Sequence, residues 1–273
     1  MNACCVYAIV EDGRDLPTDG SADPDCPVYR VSYQGLRAVV SDVSLDEYGE
    51  EALDSNLCDA DWLAAKVLAH QHILDGLLAC NVVPMRFCTI YSNQDRVREM
   101  LEAHYDYFLS VLARLEGKQE WGVKVYCAPS LLNEKIAELS EVVKTLNSRL
   151  AGKSDGAAYF LKKKIDEAIA VETDRIGSEA AQDSHNRLLT RSWEAVVNPL
   201  LGREVTRREE DMVLNGAYLV SRDCVETFRT ELDGLRDKYA GIGFSYEISG
   251  PWPPYNFANA APGEDCVDEP VRA

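Results

Sequence analysis

Near the amino terminus, apolar residues come in short valine-rich runs. Cys4–Val10 reads as a buried strand, and Val28–Val43 reads as two more joined by a turn at Tyr33-Gln34-Gly35. Between them, Glu11–Pro27 carries three prolines, two glycines and several aspartates, a composition suited to an exposed and mobile connection. From Asp61 the period lengthens. Leu63, Val67, His70, Leu74, Leu77 and Leu78 fall on one helical face, and Asp59 or Asp61 can cap the start. The pattern then predicts a strand over Val82–Tyr91, a helix over about Asn93–Leu115, a stop at Gly117 and a strand over Glu120–Cys127.

After Pro129 the helical period dominates, with helices expected over about Ser130–Leu150, Gly156–Ile176 and Ser178–Val197. In the middle one, Leu161, Ile165 and Ile169 form an apolar stripe. Lys162 with Asp166, and Lys163 with Glu167, are spaced as charge pairs on the exposed side, so the triple lysine reads as a solvated face. The final third returns to strand, helix and strand at Met212–Val220, Val225–Tyr239 and Phe244–Ser249. The fold class implied is α+β in two domains. Residues 1–117 form an N-terminal α/β domain. Residues 118–257 form a C-terminal ferredoxin-like antiparallel sheet with a long helical insertion at 130–197. An acidic tail, 258–273, is expected to be flexible.

Composition narrows the classes of partner. The chain has 273 residues, 46% of them apolar, enough to bury a real core. Its 28 basic and 46 acidic residues give a net charge of -18, which repels a phosphate backbone or an anionic lipid surface. Neither nucleic acid nor a lipid membrane is therefore an expected partner. The nine cysteines are odd in number and scattered, as for reduced thiols in a cytosol. No export signal or membrane-spanning run is read from the sequence.

Candidate chemistry is sparse. Gly152-Lys153-Ser154 resembles the end of a phosphate-binding loop, but Asn147 stands where its first glycine is required and a helix precedes it. Gly241-Ile242-Gly243 fails as a dinucleotide fingerprint because Tyr246 replaces the third glycine; it reads as a turn. His70 and His72 are two residues apart on a helix and cannot chelate one ion. His70 reads as a core imidazole bonded to a backbone carbonyl. There is no Gly-x-Ser-x-Gly elbow and no Cys-x-x-Cys pair. No cofactor, metal or catalytic residue is expected.

Several segments do carry a resemblance. Val82-Val83-Pro84-Met85-Arg86-Phe87-Cys88-Thr89 is similar to the Pro-x-Arg-Phe-Gly-Thr stretch of the gas vesicle protein F and L family. The match continues through Leu115–Val125, Gly156–Leu161 and Leu214–Val220 to Gly250-Pro251-Trp252-Pro253-Pro254-Tyr255-Asn256-Phe257, which resembles the family's closing Gly-Pro-Trp-Pro-Pro-Tyr-x-Phe. One departure is Cys88, where the family usually has glycine.

The resemblance implies a non-enzymatic accessory or minor structural protein of gas vesicles. Its implied partners are the small shell protein and other vesicle proteins met during assembly. Made in the cytoplasm, it is implied to lie on the gas-facing side of the shell. A small-molecule-binding or catalytic ferredoxin-like protein is the alternative from another class. Candidate structural or partner-contact residues are Arg86, Trp121, Trp252, Tyr255 and Phe257. Arg86 is expected to be partly buried and tied to a carboxylate, with Glu120 as candidate. Pro251–Phe257 is expected to run across a surface, its rings either clamping the tail or anchoring a partner.

Overall fold

The computed structural model describes residues 2–12, 27–149 and 155–258. Most of the connection Glu11–Pro27, the Gly152-Lys153-Ser154 segment and the acidic tail beyond Ala258 lie outside the described residues. The chain folds as two units, one within Met1–Glu120 and Pro251–Ala273, the other Trp121–Gly250. The residues from Pro251 thus group with the first unit, whereas the sequence places them with the second domain.

The first unit is built on five strands: β1 (Asn2–Glu11), β2 (Val28–Tyr33), β3 (Leu36–Ser44), β4 (Val82–Pro84) and β5 (Ile90–Tyr91). Their order is β2-β3-β1-β4, with β5 also on β1. Three short or medium helices follow β3: α1 (Leu45–Tyr48), α2 (Glu50–Asn56) and α3 (Ala60–Gly76), whose start is capped by Asp59. After β5 come α4 (Gln94–Ala103) and α5 (Tyr105–Leu115). An α/β class is expected for this part, but the pairs β1–β3, β1–β4, β1–β5 and β2–β3 are all antiparallel, which makes it α+β. The cause at β2–β3 is the turn. Gln34 and Gly35 both take positive φ, 43° and 90°, the left-handed pair that reverses a chain within two residues.

Val82–Tyr91 is not one strand, because the chain leaves the sheet over Met85–Thr89 opposite a bulge in β1 at Tyr7. Within that excursion Cys88 takes φ 60°, a conformation that suits glycine and accounts for the residue usual at this position in the resembling family. The helix over Asn93–Leu115 breaks at His104, which ends α4 and begins α5. The apolar face of α3 is narrower than its spacing suggests: His70, Ile73 and Leu74 are buried while Val67 is exposed.

The second unit takes most of its sheet from β6 (Lys118–Cys127), β7 (Glu194–Val197), β8 (Asp211–Ser221) and β9 (Phe244–Trp252), in the order β7-β8-β6-β9. The helices between β6 and β7 are α6 (Pro129–Leu139), α7 (Glu141–Ser148) and α8 (Asp155–Leu189). A single turn, α9 (Arg203–Thr206), precedes β8, and α10 (Val225–Ala240) joins β8 to β9. Their core gathers Trp121, Val123, Val125, Leu132, Ile136, Leu188, Tyr218, Phe228, Leu232 and Leu235. Ser140 splits the expected Ser130–Leu150 helix by capping α7 through its side chain. The expected break between Ile176 and Ser178 does not occur. Gly177 sits inside α8 with room for a Cβ, whose nearest neighbour would be Val213 at 4.0 Å; a lone glycine costs a helix only about 1 kcal/mol, which the burial of Ile176 and Ala180 beside it overrides. Glu194–Val197, expected to be helical, pairs with β8, as its β-branched valines favour.

Two glycines here make opposite predictions. Gly243 has φ 93°, and a Cβ there would meet Leu131 Cβ at 3.1 Å and Ala128 O at 3.2 Å. Gly234 lies exposed inside α10 with only Arg187 Nη2 at 3.5 Å. Gly243→Ala should lower unfolding free energy by about 1–2 kcal/mol or more. Gly234→Ala should raise it by about 0.5–1 kcal/mol. Urea unfolding of each variant measures both, and equal signs would contradict the assignment.

Candidate functional site

The carboxy-terminal residues Pro253–Ala258, ending in the turn α11 (Tyr255–Ala258), form a strap held against the first unit. Proline fixes φ and removes donors, so such a segment cannot rely on its own backbone ladder and must borrow partners from side chains. Four side chains from three elements supply them. From α3, His70 Nε2 lies 3.0 Å from Tyr255 Oη, and Tyr255 Oη donates to Met85 O at 3.4 Å. From α5, Tyr107 Oη donates to Ala258 O and Arg114 Nη2 donates to Phe257 O. These two residues are seven apart and therefore share a helix face. At the start of β6, Glu120 accepts from Asn256 N at 3.0 Å and Asn256 Nδ2 at 2.6 Å.

Apolar burial does the rest. Phe257 and Ala258 have no exposed surface, and burying a phenylalanine side chain stabilises by roughly 1.5–3 kcal/mol. His70 is buried between the Tyr7 ring at 5.3 Å and the Phe87 ring at 5.6 Å, with no hydrogen-bond partner at Nδ1. Since Tyr255 gives its proton to Met85 O, the network fits a His70 whose proton sits on Nε2. The imidazole also faces the Met85 backbone carbonyl, the kind of partner the sequence suggests, and the Tyr255 hydroxyl joins it there.

The candidate residues divide. Tyr255 and Phe257 come together in the strap, and Trp252 just before it keeps 41% of its surface exposed. Trp121 is buried in the core of the second unit beneath the Arg229 guanidinium, 4.9 Å from its ring. Arg86 departs from expectation. Its side chain is exposed and makes no ion pair among the described residues, and both Glu120 oxygens belong to Asn256. The reason is the break after Pro84: Thr89 N and Oγ1 both donate to Arg86 O, closing a turn that carries the guanidinium outward. Glu120, Asn256, Tyr107 and Arg114 are missed as a set by the sequence. Only the shared face of Tyr107 and Arg114 offers a local signal.

Burial also sets the electrostatics. It lowers the His70 imidazole from 6.5 to about 4, which keeps it neutral. It raises the Glu120 carboxyl from 4.5 to about 7, against the opposing pull of the Asn256 hydrogen bonds. The thiols of Cys88 and Cys127 are both pushed up to about 11 by burial, away from the reactive thiolate. Among the described residues, no group of three or more His, Cys, Asp and Glu is placed to hold a metal ion. What the strap's geometry supports is docking.

The two titrations have opposite sign. For His70 the stabilising contribution is complete above about 6.5 and is lost as pH falls toward about 4, because the unfolded chain takes up the proton first. For Glu120 it is complete below about 4.5 and is lost as pH rises through about 7. The two windows overlap, so between about pH 4.5 and 6.5 the opposite slopes cancel, and stability measured by urea unfolding should be nearly flat there, falling by only about 1 kcal/mol on either side. His70→Gln should unmask a fall on the order of 3 kcal/mol as pH rises from about 4.5 to 7, and Glu120→Gln a rise of similar size from about pH 4 to 6.5; variant profiles parallel to the parent's would rule this out.

The model of the gas vesicle synthesis protein GvpL/GvpF family matches residues 3–259. Gas vesicle protein L of Streptomyces sp. (strain CB03234) is 31% identical over 98% of this chain and 96% of its own length. Gas vesicle protein L1 of Halobacterium salinarum is 26% identical over 93% and 88%. Among solved structures, gas vesicle protein GvpF from Anabaena sp. PCC7120 superposes with a TM-score of 0.70 at 16% identity, covering 96% of this chain and 100% of that one. By a match that runs through both units, this chain belongs to the GvpL/GvpF family of gas vesicle synthesis proteins.

Proposed function

We propose that the chain is a non-enzymatic component of gas vesicle assembly, binding the small shell protein and other vesicle proteins, and that it resides on the gas-facing side of the shell. The observation that carries this reading is the family match over residues 3–259. A growing shell subunit exposes apolar surface in water, and a soluble partner with net charge -18 keeps such a complex dispersed. No helix among the described residues is long and apolar enough to cross a membrane.

The 31% identity to the L protein of the Streptomyces strain, against 26% to its F protein, supports an L-type role. The second unit reads as a ferredoxin-like domain. Its strand, helices, two strands, helix and strand run in the order β7-β8-β6-β9, as that layer requires. Domains at 1–117 and 118–257 remain the functional division we propose, with the strap docked back onto the first.

Arg86 is our candidate partner contact, since a guanidinium held outward by a closed turn is preorganised to meet a partner's carboxylate. Arg86→Glu should leave the melting temperature within about 2 °C of the parent, as for an exposed site. It should also cut capture of tagged shell protein or other vesicle proteins by at least about tenfold. Unchanged capture would remove Arg86 from the contact surface, and failure of the parent to capture any vesicle protein would overturn the assembly role.

A further inference from the structure

The outward face of α8 carries large apolar side chains that its own fold leaves in water. Tyr159, Phe160 and Val171 are 68%, 69% and 65% exposed. Phe160, Lys164, Glu167 and Val171 follow one another at spacings of four, three and four residues, so they form one stripe along the helix. From Lys162 to Asp174 the charges are sorted by position: Lys162, Lys163 and Lys164 come first, then Asp166, Glu167, Glu172 and Asp174.

The sequence spacing predicts that these charges satisfy one another at i,i+4. They do not. Neither Lys162 with Asp166 nor Lys163 with Glu167 forms an ion pair, and among the described residues the first ion pair along α8 is Glu172 with Arg175. Unpaired cations at one end of an exposed apolar stripe and unpaired anions further along it are what a symmetric interface needs.

From this stripe we infer that α8 pairs antiparallel with α8 of a second copy of the chain. Reversing the direction of the stripe sets Phe160 against the partner's Val171 and Lys164 against the partner's Glu167. The two-fold axis then repeats both contacts. Charge complementarity favours this occupant. A parallel copy would oppose lysine to lysine, and an unrelated acidic segment would leave Glu167 and Asp174 facing like charge. An aromatic and a valine at the ends exclude water from the charged pair between them, the arrangement that makes such pairs effective.

The test is sedimentation velocity on the full chain from about 1 to 100 µM, the range in which a modest interface of this kind populates a dimer. The parent should show a concentration-dependent monomer–dimer equilibrium. Lys164→Glu and Glu167→Lys should each weaken it at least about tenfold, because symmetry counts every like-charge contact twice. The double variant carrying both changes should return to within about threefold of the parent, since the swap restores the pairs. Phe160→Ala should weaken dimerisation without restoring on any charge change. All three sites lie on the helix exterior, and circular dichroism checks that each variant folds. A chain that stays monomeric at 100 µM, or a double variant no better than the singles, overturns the inference.

Discussion

The first unit depends on a short proline-bounded strap whose backbone has no ladder of its own. Asn256 and the carbonyls of Phe257 and Ala258 find their partners in Glu120, Arg114 and Tyr107. A buried backbone polar group left without a partner costs roughly 1–3 kcal/mol, so these side chains are as much part of the strap as its own residues. Phe257 adds the apolar burial that makes docking favourable. Because His70 and Glu120 are both ionisable and both buried, the strap is also the place where proton binding acts most directly on this unit's stability.

That dependence gives the aromatic carboxy-terminal segment a physical meaning. Tyr255 reaches Met85 O directly and the ring of Phe87 through His70, two points on the excursion that carries Arg86 outward. Two segments that stand far apart in sequence, and that carry the family resemblance most clearly, are therefore one structure. Cys88, at φ 60°, takes the left-handed turn within this excursion, at a cost that the contacts around it offset.

Much of the fold was legible where a residue acts through its own neighbours. The β2–β3 turn followed from Gln34-Gly35, the start of α3 from the pair Asp59 and Asp61, of which Asp59 is the cap, and β8, α10 and β9 from runs of clear period. What was not legible depends on distant packing. Gly177 looks like a helix breaker until Ile176 and Ala180 beside it are seen in the core. Val82–Tyr91 looks like one strand until the bulge at Tyr7 is placed opposite. The strap's side chains were illegible for the same reason. Tyr255 and Phe257 could be singled out as rings needing burial, but nothing local tells Glu120 to choose Asn256 over Arg86.

The central claim is that the docked strap holds the first unit in the form that meets its partners. Its most direct test is a chain ending at Trp252, which keeps β9 whole and removes the strap, compared with the full chain for melting temperature and for capture of purified vesicle proteins. The account predicts that both fall together. A truncated chain of normal stability with undiminished capture would contradict it.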